Sequence, residues 1–120
     1  MADRFPAYDV LAKRDTQSWN DKTRTVIADR LGTNERRDIL TERQRATLRV
    51  AIDRIVPQPQ HRPAVNALAL VLDKIASDAS DGFRHHSLPP LKSCYERGLD
   101  AIEAEAQVRH GASFHVLDEA

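Results

Sequence analysis

The stretch Leu40-Thr41-Glu42-Arg43-Gln44-Arg45-Ala46-Thr47-Leu48-Arg49-Val50-Ala51-Ile52-Asp53-Arg54-Ile55-Val56-Pro57 decides the fold class. Thr41 followed three residues later by Gln44 is a reciprocal capping pattern that satisfies two otherwise orphaned backbone donors at a helix start. Leu48, Ala51, Ile52 and Ile55 then recur at i, i+3, i+4 and i+7, which puts them on one face. A helix is therefore predicted from Thr41, closed by Pro57.

On the C-terminal side, Pro57, Pro59 and Pro63 stiffen a short connection, and Pro63 is placed in the first turn of the next helix, where its missing N–H costs nothing. That helix repeats the pattern with Leu68, Val71, Leu72 and Ile75. The polar stretch from Ser77 to Ser87, containing Asp81-Gly82, reads as a loop, and Pro89-Pro90 opens a last long helix. Leu91, Tyr95, Leu99, Ile102 and Ala106 form its stripe, and Gly111 ends it. Gly98 lies on that stripe and costs about 1 kcal/mol of helix propensity relative to Ala, so a close helix crossing is expected there. Leu117-Asp118-Glu119 reads as the opening of a further helix with Asp118 as N-cap, just where the sequence stops.

On the N-terminal side, a shorter helix is predicted from Ser18 or Asn20 to Leu31, with Trp19, Val26, Ile27 and Leu31 apolar and Gly32 as its stop. No alternating strand pattern appears. The sum is an all-α fold: a small bundle of about four helices over residues 18–120, a single helical domain, preceded by an extended N-terminal arm over residues 1–17.

Composition narrows the function classes. Lys plus Arg equal Asp plus Glu at 18 each, so no global field attracts nucleic acid or anionic lipid. Arg36, Arg37, Arg43, Arg45, Arg49 and Arg54 cluster around the decisive helix, but Glu35, Asp38, Glu42 and Asp53 dilute them into a solvated, salt-bridged face. The longest apolar run, Ala67 to Leu72, is far short of the ~20 residues a bilayer span needs. No secretory signal is readable, so the cytoplasm is expected, with the periplasm reached only by export with a partner. Cys94, the only cysteine, excludes an internal disulfide and a cysteine-based zinc cluster.

Catalytic patterns are missing. His85-His86 is the most tempting pair among five histidines, yet adjacent residues rarely chelate one metal, and His110 and His115 straddle a glycine break. No nucleophile sits in a recognised local signature, and the four glycines form no phosphate-binding loop. No catalytic, cofactor-binding or metal-binding residue is assigned, and the chain is expected not to be an enzyme by itself. Phe5, Tyr8 and Trp19 are three of only six aromatic residues and fall in the first 19 positions. With Val10 and Leu11 they offer interface anchors, unless the arm folds back over its own bundle. Tyr95 and Phe114, on apolar edges of the later helices, complete the expected partner-binding set.

The segment from Leu40 to Leu117 resembles the gluconate 2-dehydrogenase subunit 3 family. The resemblance is carried by Leu40-Thr41-Glu42-Arg43-Gln44-Arg45-Ala46-Thr47-Leu48, by Asp53-Arg54-Ile55-Val56-Pro57, and by Tyr95-Glu96-Arg97-Gly98-Leu99-Asp100-Ala101-Ile102 continuing through Arg109-His110-Gly111 to Phe114. It implies a non-catalytic accessory subunit, without a cofactor of its own, bound to a large flavoprotein dehydrogenase of the glucose-methanol-choline type. FAD and the oxidation of a sugar or sugar acid would then belong to that partner. Several members of the family carry a twin-arginine signal; here Arg36-Arg37 is internal and no apolar signal core follows it. A different reading is a stand-alone helical interaction or regulatory protein that homodimerises.

Overall fold

The computed structural model describes residues 5, 7–58, 60, 64–79 and 82–118. Among these residues four α-helices follow one another: α1 (Asp21–Gly32), α2 (Glu42–Ile55), α3 (Ala67–Ser77) and α4 (Leu91–His110). Short 3-10 turns lie at Val10–Lys13 and Phe114–Val116. No strand occurs among the described residues, so the fold is all-α as expected. The chain divides into two compact units, Met1–Gly32 and Thr33–Ala120.

In the first unit, the arm is not extended throughout. Asp9 accepts a hydrogen bond from the Leu11 N–H (2.9 Å) and starts the turn at Val10–Lys13. The Asn20 carboxamide accepts from the Thr23 N–H (2.8 Å), as an N-cap does. Arg24 ties this helix to the preceding chain through the Arg14 carbonyl (2.8 Å). Gly32 is the last helical residue rather than the stop after it, and α1 buries none of its residues.

The second unit is a three-helix bundle in which α2, α3 and α4 all touch one another. At the start of α2 the capping box forms in full: the Gln44 N–H donates to the Thr41 hydroxyl (3.2 Å) and the Thr41 N–H to the Gln44 side chain (3.0 Å). Gln44 is itself buried and donates on to Asp100 of α4 (2.9 Å). One side chain thus caps a helix and fixes its neighbour. The core is Ile39, Leu40, Leu48, Leu68, Leu72, Ile75 and Leu99, with Ile52, Val71 and Tyr95 packed against it.

Four expectations need correction. Ile55 shares the face of Leu48 and Ile52 but is 78% exposed, because periodicity sets a face and not how far neighbouring elements extend along it. Helix α3 begins at Ala67 under an Asn66 cap (Ala69 N–H to the Asn66 side chain, 3.1 Å), later than Pro63, which lies outside the described residues. Gly98 is open, and a Cβ placed there would meet nothing within 4 Å, so no helix of this unit crosses it. Ile102 is 38% exposed, while the adjacent Glu103 is buried at 7%. Between α3 and α4, Asp78 adopts a left-handed conformation (φ 47°) and accepts a hydrogen bond from the Leu91 N–H (2.9 Å). The end of one helix therefore caps the start of the next. Gly82 turns at φ 87° in this connection, and Asp81 lies outside the described residues. The helix expected to open at Asp118 falls partly outside them too; Leu117 is extended.

Candidate functional site

Helix α4 stops at Gly111, whose left-handed conformation (φ 63°) suits a residue without Cβ. The chain then reverses, and the Phe114–Val116 turn packs back on α2 and α4. Glu103 fastens this reversal. Its carboxylate accepts from the Phe114 N–H (3.0 Å) and from Gln107 (3.3 Å), which also bonds Ser113 (3.2 Å). The Ser113 hydroxyl, then the Phe114 N–H, Gln107 and the nearby Arg43 charge hold the Glu103 carboxyl below its ordinary pKa, against the opposing effect of burial. From the other side, Arg54 of α2 lies over the Phe114 ring, 5.0 Å from its centroid, and donates to the Leu117 carbonyl.

The result is an open groove of about 610 Å³. Its floor is apolar, made of Ala101, Ile102, Ala106, Phe114 and Leu117. Its rim carries Arg54, Glu105, Arg109, His110 and Asp118, with Glu105 and Arg109 ion-paired along α4. An apolar floor of this kind is one from which the release of water is favourable.

The residues proposed from sequence are placed in different settings. Phe114 enters the groove. Tyr95 is half-buried against the core at the other end of α4. In the first unit, Phe5, Tyr8, Val10 and Leu11 are exposed, and Trp19 is buried at 8%. His85 and His86 are exposed with rings 4.4 Å apart, and His85 is tied to the Ser87 hydroxyl (2.7 Å). Among the described residues no three His, Cys, Asp or Glu side chains come together to hold a metal. Cys94 is half-buried, 3.1 Å from the Arg84 guanidinium. Part of the arginine cluster is tied down: Arg36 is ion-paired to Asp38 (2.9 Å) and Arg49 to Glu35 (2.6 Å), while Arg45 donates to the Arg37 carbonyl (2.9 Å). Sequence reasoning missed Glu103, Arg54 and Leu117. The signal that points to them is the apolar pair Phe114 and Leu117 placed just after a helix-ending glycine.

A three-helix bundle with an open apolar groove and a mixed-charge rim defines a small all-α protein. The model of the gluconate 2-dehydrogenase subunit 3 family matches residues 42–120, and the chain belongs to that family. The match begins at the first residue of α2 and takes in the whole groove. By its name the family is a subunit of gluconate dehydrogenase. Neither a curated protein nor a solved structure matches the chain. Among the described residues, no helix is long and apolar enough to cross a membrane.

Proposed function

We propose that this chain is the non-catalytic small subunit that binds and stabilises a flavin-dependent sugar or sugar-acid dehydrogenase of the glucose-methanol-choline type. FAD and substrate belong to the large subunit, and the compartment of the complex is that of this partner. The observation that carries the reading is the coincidence of the family match with a surface built for contact: an apolar floor left open in the single chain. The exposed Phe5, Tyr8, Val10 and Leu11 of the first unit supply further anchors, of the kind that dominate interface energetics. Tyr95 and Phe114 mark the edges of the second unit that meet the partner.

The test is to purify the tagged full chain gently from its native cells, identify what comes with it, and record the visible spectrum. The expected result is a large protein with flavin absorption. A colourless preparation with no dehydrogenase, from cells that produce one, overturns the reading.

A further inference from the structure

The groove is bordered along α4 by Glu105 and Arg109, opposite charges one turn apart that pair with each other. The two side chains remain 58% and 69% exposed, so each keeps surface for a second ionic contact. Ile102, Glu105 and Arg109 follow at spacings of three and four and so share one face of α4, with Ile102 in the groove and the two charges along its border. Val108, in the turn between the charges, is 84% exposed and adds apolar area beside that face.

Four residues of helix span about 6 Å. A two-fold axis midway between Glu105 and Arg109 therefore carries each side chain of one copy onto the opposite charge of the other. Around the groove as a whole, Arg54 and Arg109 balance Glu105 and Asp118, so two copies meet without net repulsion. A surface complementary to itself under a two-fold rotation is what an isologous interface requires.

We propose that, when free of its dehydrogenase, the chain forms an antiparallel two-fold dimer through the α4 groove, with Glu105 of each copy paired to Arg109 of the other. The dimer covers the apolar floor, and binding of the large subunit competes with it for the same surface. The competition rests on the accessory-subunit reading; the dimer itself does not, and light scattering of the purified chain tests it separately.

The experiment is light scattering of the full chain across a wide concentration range. Wild type is expected to run as a dimer. Glu105→Arg gives a chain with two positive charges on that face, and Arg109→Glu one with two negative charges. Each alone is expected to weaken dimerisation by roughly tenfold or more, because like charges then face each other. An equimolar mixture of the two variants is expected to restore the dimer as a heterodimer, and the double variant Glu105→Arg/Arg109→Glu to dimerise with itself. Helical circular dichroism confirms that each variant is folded. A monomeric wild type overturns the proposal, as does a dimer indifferent to either charge reversal. So does a mixture of folded single variants that stays monomeric.

Discussion

Two glycines, one inside α4 and one capping it, should respond in opposite directions to the same substitution. Gly98 is interior to a 20-residue helix and exposed, and a Cβ there would meet nothing within 4 Å. Gly98→Ala therefore incurs no steric cost and recovers the propensity difference, about 1 kcal/mol of stabilisation. At Gly111 the space is equally open, but φ is 63°, so Gly111→Ala forces an L side chain into the left-handed region at about 1 kcal/mol of destabilisation. The assay is equilibrium urea unfolding, read as a midpoint shift at constant slope. With a slope of about 2 kcal/mol/M, each change moves the midpoint by about 0.5 M, upward for Gly98→Ala and downward for Gly111→Ala. A lowered midpoint for Gly98→Ala would refute the open placement of that face, and an unchanged one for Gly111→Ala would refute the left-handed cap.

Three other outcomes follow from buried groups. The Thr47 hydroxyl is fully buried and has no hydrogen-bond partner among the described residues, so Thr47→Val should raise stability by about 1 kcal/mol in the same unfolding assay. Tyr95 is only half-buried against the core, so Tyr95→Ala should cost about 2 kcal/mol, less than a full aromatic core deletion. Glu103 has a folded pKa below its ordinary 4.5, so its contribution is complete above that pH and is lost as pH falls through the folded value. Thermal melts at falling pH should show wild type losing stability below about pH 4.5 more steeply than Glu103→Gln.

The helices were legible because their signals are local. The Thr41–Gln44 box, Pro89-Pro90 before α4, and the Gly111 cap act within one turn of the residues that carry them, and all three appear where they were read. The groove was legible only at Phe114. It is assembled by bonds that cross the chain, from Glu103 to Phe114 and from Arg54 to Leu117, and periodicity carries no information on such pairings. The stripe drawn through Ile102 erred by one residue for the same reason. A buried Glu103 is tolerable because Gln107 and the reversal beyond Gly111 supply its donors, and a charged residue read without that reversal looks solvent-facing. Gly98 was misread because its cost in a helix invites a packing explanation that nothing in the unit provides.

The accessory-subunit account stands or falls on the groove's contact with a flavoprotein. The most direct measurement is gel filtration of the purified dehydrogenase subunit with this chain, wild type or Ile102→Asp, a change at a half-open position that leaves the core intact. The account predicts that wild type co-elutes with the flavin absorbance and that folded Ile102→Asp does not. Separate elution of the wild-type chain, or co-elution unaffected by Ile102→Asp, would contradict it.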